Sequence, residues 1–193
     1  EARISFIINP VNDAPELSSV DDLSFDEGDD TSVSVTLSAT DVDVGDELTY
    51  TVSGGSEITV TQDSETTFIF STADEDWYGS EIFTATVIDE ELESSSIFIV
   101  TVESTNDAPV LSEIGDLTLD EDTVLEVTLF ATDVDGTDSL IFSVVDDNLI
   151  SLNASVNGNI LEIDPSDNYN GGGELTVTVT DNVSRLEDNE TFM

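Results

Sequence analysis

The chain contains no cysteine, no histidine and no lysine, and its only cationic side chains are Arg3 and Arg185. Without cysteine there can be neither disulfides nor thiolate metal sites. Without His, Cys or Lys, no catalytic triad, thiolate nucleophile or Schiff base can be assembled. A glycosidase needs only two carboxylates at about 5–5.5 or 6.5–9.5 Å, but among 45 Asp and Glu residues such a pair arises by chance. No enzyme is expected. Nucleic acid is excluded as a partner, because affinity for phosphate backbones comes from Lys and Arg releasing counterions. An anionic membrane surface is excluded for the same reason. There is also no run of 18 apolar residues and no secretion leader, so membrane insertion is not expected. The chain reads as an interior piece of a longer mature protein.

What is present in excess is negative charge, −43 over 193 residues. Two carboxylates about 4 Å apart repel by roughly 4 kcal/mol at an effective dielectric of 20. With so few internal cations, neutralisation must come from solution, either as concentrated salt or as bound divalent ions. Disorder would be the usual outcome of such charge, but 38% of residues are hydrophobic and they fall in short alternating runs. The chain therefore folds, and its length suits two domains of about 95 residues. A small domain without disulfides needs another staple, commonly a metal.

An internal repeat is plain. Val11-Asn12-Asp13-Ala14-Pro15 returns as Thr105-Asn106-Asp107-Ala108-Pro109, and Asp26-Glu27 returns as Asp120-Glu121, both at an offset of 94. Ala39-Thr40-Asp41-Val42-Asp43 returns as Ala131-Thr132-Asp133-Val134-Asp135 at an offset of 92. Phe83-Thr84-Ala85-Thr86-Val87-Ile88-Asp89 matches Leu175-Thr176-Val177-Thr178-Val179-Thr180-Asp181, and Trp77-Tyr78-Gly79 has a looser echo in Asn168-Tyr169-Asn170-Gly171. Between these landmarks the pattern has period two. Val33, Val35, Leu37 and Ala39 alternate with Ser34, Thr36, Ser38 and Thr40, as in a strand with one face on a core and one in water.

Short strands at such intervals predict an all-β chain of two tandem Greek-key, immunoglobulin-like sandwiches. Residues 1–10 read as the last strand of a preceding repeat, because Ile4, Phe6 and Ile8 match Phe98, Val100 and Val102. Residues 11–104 form repeat 1 and residues 105–193 repeat 2. The last strand of repeat 2 is expected to start at Thr191-Phe192-Met193 and to be incomplete.

The candidate chemistry lies in acidic clusters at loop positions. Repeat 1 has Asp26-Glu27, Asp41-x-Asp43, Asp74-Glu75-Asp76 and Asp89. Repeat 2 has Asp120-Glu121-Asp122, Asp133-x-Asp135, Asp164 with Asp167, and Asp181. Calcium takes six to eight oxygen ligands at about 2.3–2.6 Å, and clustered carboxylates supply them. Any single acid here is equally well read as solvated loop charge, as in a salt-adapted protein. The clusters differ from the background because they recur at matched positions. None fits the helix–loop–helix calcium pattern, and the glycine-rich calcium repeat is absent. Asn153, Asn182 and Asn189 head Asn-x-Ser/Thr triplets, close to expectation in a Ser/Thr-rich sequence. Trp77 and Tyr78 can stack on a sugar, or pack beneath a sandwich corner.

The order of acidic motifs resembles cadherin repeats, especially the bacterial cadherin-like repeats with a VNDAP signature found in long surface and secreted adhesins. Glu103-Ser104-Thr105-Asn106-Asp107-Ala108-Pro109 lies in register with the cadherin linker D-x-N-D-N-A-P. Residues 131–135 match the A-x-D-x-D segment, Asp181 the later lone aspartate, and Glu27 the early glutamate. The L-D-R-E segment has only a loose counterpart at Asp74-Glu75-Asp76. The resemblance implies an extracellular, cell-surface calcium-binding repeat. Its ligands would form one nearly complete junction, Glu27, Asp74 or Asp76, Glu103, Asp107, Asp133, Asp135 and Asp181. A half junction would lie at Asp13, Asp41, Asp43 and Asp89, with Asn9 where the family has aspartate. One or two ions are implied rather than three. The implied function is that of a structural module in an adhesin stalk or surface filament, its calcium stiffening the join between repeats. The competing reading is a polysaccharide-binding module, which needs an exposed aromatic platform built from Trp77, Tyr78, Tyr50 or Tyr169. The implied partners are neighbouring repeats of the same protein, with self-association or a surface polysaccharide as further options. No strand-swap tryptophan lies near the N-terminus.

Overall fold

A computed structural model describes residues 3–28, 30–136, 139–146 and 152–193. The chain divides into two compact units, Glu1–Thr105 and Asn106–Met193. Both are built of strands, and no helix among the described residues is long and apolar enough to cross a membrane.

Unit 1 contains β1 (Glu16–Leu17), β2 (Leu23–Asp26), β3 (Val33–Thr36), β4 (Ala39–Thr40), β5 (Thr49–Gly54), β6 (Ile58–Gln62), β7 (Thr67–Thr72), β8 (Gly79–Ile88) and β9 (Glu93–Glu103). One sheet has the order β2-β9-β8-β5 and the other β3-β7-β6, while β1 pairs with β4. Pairing is antiparallel except where β2 runs parallel to β9. The two sheets close on a shared core. Phe25, Phe83, Ala85, Phe98, Val100 and Val102 come from the first sheet, and Ile58, Phe68 and Phe70 from the second. Three phenylalanines sit at its centre. Phe70 meets Phe83 edge-on at 5.0 Å and Phe98 at 5.8 Å, and Phe83 stacks on Phe98 at 6.0 Å. Such geometries add about 0.5–1.5 kcal/mol per pair beyond the area they bury.

The period-two pattern is realised along β3 and just after it. Leu37 is buried and Val33 and Val35 are half-buried, whereas Ser34, Thr36 and Ser38 are exposed. A separate clamp fixes the turn between β5 and β6. The Glu81 carboxylate accepts hydrogen bonds from the backbone N–H groups of Ser56, Glu57 and Ile58 and from the Ser56 hydroxyl. The turn can lie this close because Gly55, at φ +73°, has no Cβ; one would strike the Ile58 carbonyl and the Phe83 ring.

Unit 2 repeats the plan with β10 (Val110–Leu111), β11 (Leu125–Thr128), β12 (Ala131–Thr132), β13 (Ile141–Asp146), β14 (Ser155–Asn157), β15 (Ile160–Ile163), β16 (Leu175–Thr180) and β17 (Glu187–Phe192). Its sheets are β13-β16-β17 and β11-β15-β14, with β10 paired to β12. The core is aliphatic where unit 1 is aromatic: Leu129, Leu161, Ile163, Leu175 and Val177, with Phe192.

The structure moves the start of the last strand. The last strand begins at Glu187, four residues before Thr191, and pairs with β16 along its full length from Thr180↔Glu187 to Leu175↔Phe192. It is a strand despite its acidic Glu187-Asp188-Asn189-Glu190 start because two of those carboxylates find donors. Asp188 accepts from the Leu111 N–H, and Glu190 from those of Ile114 and Gly115. At the other end, residues 3–10 form no strand and are exposed.

Candidate metal centre

The same carboxylate scaffold is built once in each unit. In unit 1, the Asn12-Asp13 segment ahead of β1 lies beside the loop after β4 and the turn after β8. Asn12 Nδ2 donates to Asp89 Oδ2 at 3.1 Å, the Asp13 N–H donates to Asp43 Oδ2 at 2.8 Å, and the Asp43 N–H donates to Asp41 Oδ1 at 2.9 Å. Asp89 Oδ1 also accepts from the N–H groups of Glu91 and Leu92, both at 2.9 Å.

Unit 2 reproduces the first three of these bonds and gives its later aspartate more backbone donors. Asn106 Nδ2 donates to Asp181 Oδ2 at 3.4 Å, the Asp107 N–H to Asp135 Oδ2 at 2.8 Å, and the Asp135 N–H to Asp133 Oδ1 at 3.0 Å. Asp181 Oδ1 takes the N–H groups of Val183, Ser184 and Arg185, and Oδ2 that of Leu186.

These bonds set the electrostatics. Leu92 and Glu91, with Asn12 behind them, hold the Asp89 carboxyl below its ordinary range against the opposing effect of burial. Burial works against the charge on Asp181 too. The four backbone donors of residues 183–186 outweigh it and hold the carboxyl at about 2. Both aspartates are ionised although nearly enclosed, at 4% and 1% exposure.

One oxygen in each scaffold is left over. Asp41 Oδ2 and Asp133 Oδ2 are buried and have no hydrogen-bond partner, and they occupy the same place in the two repeats. An unpartnered buried acceptor costs about 1–3 kcal/mol, more when charged, and a cation bound there would relieve that cost in both units. The donor set fits a hard one. Asp41, Asp46 and Asp89 each present a carboxylate oxygen within 4.8 Å of the other two, and in unit 2 oxygens of Asp107 and Asp135 are equally close. Ligands at about 2.3–2.6 Å around one calcium ion stand at such separations.

Asp46 is absent from the residues expected above. Burial, together with the charges of Asp41, Asp43, Asp89 and Glu90, raises its pKa. A signal for it exists, since Asp46 and Asp138 fall at the offset of 92 shared by the Asp41 and Asp133 segments. Asp138 lies outside the described residues.

The remaining expected ligands of unit 1 gather around the end of β9. The Glu27 N–H donates to the Glu103 carbonyl and the Gly28 N–H to that of Glu75. Glu27 is buried; its Oε1 accepts from the Thr105 N–H at 2.7 Å, and its Oε2 has no partner. Asp74 Oδ1 accepts from the Asp76 N–H. Asp74, Asp76 and Glu103 are exposed.

Of the four aromatic residues expected to offer a platform, three pack against a core. Trp77 and Tyr50 pack against the unit 1 core and Tyr169 against that of unit 2, leaving Tyr78 exposed.

The sequence pattern of the bacterial Ig domain matches residues 12–102 and again residues 106–189. Among solved structures, the chain is similar to human protocadherin-24 EC1-2. Identity there is 20% and the TM-score 0.54, over 94% of this chain and 98% of that one. It is also similar to mouse cadherin-23 EC22-24, at 17% identity and a TM-score of 0.52, over 94% of this chain and 66% of that one. An endo-fucoidan hydrolase of glycoside hydrolase family 107 aligns at a TM-score of 0.42 and 21% identity, and this chain spans 29% of it. No curated protein matches the sequence. The identities to these structures speak for the fold alone. With its pattern matched twice over nearly the whole length, the chain belongs to the bacterial Ig domain family, as two tandem copies with a cadherin-like all-β fold.

Proposed function

We propose that this chain is a calcium-binding structural segment of a long extracellular adhesin or surface filament, in which calcium stiffens the join between successive repeats. The observation that carries the reading is the pair of buried, partnerless oxygens, Asp41 Oδ2 and Asp133 Oδ2, at the same position in both units. A hard divalent cation is the partner that such an oxygen lacks. Asp133, Asp135, Asp107 and Asp181 supply the ligands of unit 2, and Asp13, Asp41, Asp43 and Asp89, with Asp46, those of unit 1.

Glu27, Glu103 and the acids Asp74 and Asp76 belong to unit 1 near Thr105, where the chain passes into unit 2, and Asp107 follows two residues later. An ion shared by these groups replaces a flexible link, since motion between domains is otherwise the default. Ions that bind the folded state alone also stabilise it by mass action. The neighbouring repeats of the same protein are then the first partners, and cell-surface exposure supplies the calcium.

The test is calcium titration calorimetry on the intact chain beside the variant Asp133→Ala/Asp135→Ala, with small-angle scattering before and after chelation. The variant is expected to lose at least one ion, and chelation to broaden the distribution of distances. Unchanged stoichiometry rejects the ligand assignment, and an unchanged scattering curve rejects the stiffening role.

A further inference from the structure

Acids crowd the loops of this chain, but one sheet face in each unit is nearly free of them. On β5-β8-β9, register places Thr49, Thr51 and Ser53 beside Ser80, Ile82, Thr84, Thr86 and Ile88, and these beside Glu93, Ser95, Ile97, Ile99 and Thr101. Their neighbours Phe83, Ala85, Val87, Phe98 and Val100 fill the core, so this set faces outward. Its acids stand at the two ends of β9, Glu93 at one and Glu103, registered with Asp26 of β2, at the other. Three isoleucines meet in the middle. Ile82 lies directly opposite Ile99, with Ile97 on the next outward pair, and all three are exposed.

Unit 2 has the same face. Ile141, Ser143 and Val145 of β13 stand beside Thr180, Thr178 and Thr176 of β16, and these beside Glu187, Asn189 and Thr191 of β17. Ile141 and Val145 are exposed. The single acid, Glu187, is the repeat equivalent of Glu93 at the offset of 94. The second sheet does not share this property in both units. Its outward face in unit 2 sets Glu126 directly against Glu162, and in unit 1 it carries only half-buried Ile69 among Ser and Thr.

We infer that the β5-β8-β9 face of unit 1 and the β13-β16-β17 face of unit 2 are contact surfaces for a second copy of this chain, packed side by side. Charge selects the occupant. A cationic partner gains most on the acidic loops and little on a face whose middle carries no charge. A second copy carries the same −43 and is repelled by every acidic surface, so this face is where two copies approach and bury isoleucine. It also brings an equivalent face of its own, as an isologous contact requires.

Area sets the strength. At about 4.8 Å between strands and about 3.3 Å per residue, the strands give a face of roughly 430 Å² in unit 1 and roughly 290 Å² in unit 2. A stable interface needs about 800 Å² on each partner. One unit is therefore a weak contact, and adhesion between copies grows with the number of repeats engaged, as linked sites bind with summed avidity. This contact uses none of the calcium ligands and stands or falls apart from the calcium reading.

The test is sedimentation equilibrium of the intact chain from micromolar to millimolar concentration, in saturating calcium and about 0.15 M salt to screen repulsion. The average mass is expected to rise with concentration, and Ile82→Glu/Ile97→Glu to abolish the rise. Thr59→Glu/Thr61→Glu, which adds the same charge to the other sheet of unit 1, is expected to leave most of it. Ile97→Thr with Ile99→Thr, which adds no charge and suits a strand, is expected to weaken association at least threefold; circular dichroism checks the fold of every variant. A chain that stays monomeric throughout overturns the inference, as does equal loss in the variants of the two sheets.

Discussion

The unpartnered oxygen of Asp133 makes a prediction whose sign changes with calcium. Asp133→Asn keeps Oδ1, which accepts from the Asp135 N–H, and replaces the partnerless Oδ2 by an uncharged amide. In a chelator, the native carboxylate holds a charge out of water with nothing opposite it. A neutral amide is cheaper to bury by about 1–2 kcal/mol, because the penalty for an unsatisfied buried group is about 1–3 kcal/mol and larger when the group is charged. The variant is therefore more stable than the native chain without calcium. For a domain of this size 1 kcal/mol is worth about 4–8 °C, so the transition of unit 2 should rise by about 4–16 °C.

With calcium the order reverses. An ion present at about 100 times its dissociation constant adds about 2.7 kcal/mol, and a variant lacking a charged ligand forfeits most of that. Calorimetric melts of both proteins, each in chelator and in millimolar calcium, give the four numbers required. The reasoning fails if Asp133→Asn lowers the melting temperature equally in both conditions, since the carboxylate would then have a partner without any ion. Asp41→Asn should behave the same way in unit 1.

Two further predictions do not involve calcium. Glu81 loses some charge preference to burial, but its hydrogen bonds to Ser56, Ile58 and Glu57 outweigh this and lower its pKa from 4.5 to about 2; its stabilising effect is thus complete above pH 4.5 and disappears as the pH falls towards 2. The shift of about 2.5 units corresponds at face value to about 3.4 kcal/mol, which solvent screening reduces to about 1–2 kcal/mol, so Glu81→Gln should flatten the urea stability profile of unit 1 between pH 4.5 and 2 by that amount. Phe70→Ala removes the ring that touches both Phe83 and Phe98 and should cost unit 1 about 3–5 kcal/mol, read as a lower urea midpoint with no change in the transition of unit 2.

The fold was legible where chemistry is local. Val33, Val35 and Leu37 alternate with Ser34, Thr36 and Ser38 because one face of β3 is on the core, and that alternation survives in the letters. The paired scaffolds at Asp41, Asp43 and Asp89 and at Asp133, Asp135 and Asp181 were legible because a repeat prints each site twice. What was hidden depends on partners remote in sequence. Glu187-Asp188-Asn189-Glu190 reads as a loop until Leu111, Ile114 and Gly115, more than seventy residues away, donate to it. Glu81 looks like any acid on a strand until the Ser56 turn closes over it. Asp46 was masked by abundance, one more acid in a chain full of them, although its offset matched.

The placement of charge also explains how so acidic a chain can hold a core. Most strand residues that face outward are Thr, Ser or Ile, and register rarely sets one acid across from another; Glu126↔Glu162 and Asp26↔Glu103 are exceptions. Like charges directly opposite each other would destabilise a sheet pair by pair, so the sheets are largely spared. The repulsion is displaced into loops, where carboxylates accept backbone N–H groups that have no ladder partner, as Asp181 does for residues 183–186. This divides stability into two layers. The packed sheets owe theirs to apolar burial and are indifferent to cations, whereas the loop scaffolds retain one oxygen apiece that the chain itself leaves unsatisfied. On the proposed calcium reading, the ion acts on the loop scaffolds at the ends of each unit and not on its packed core.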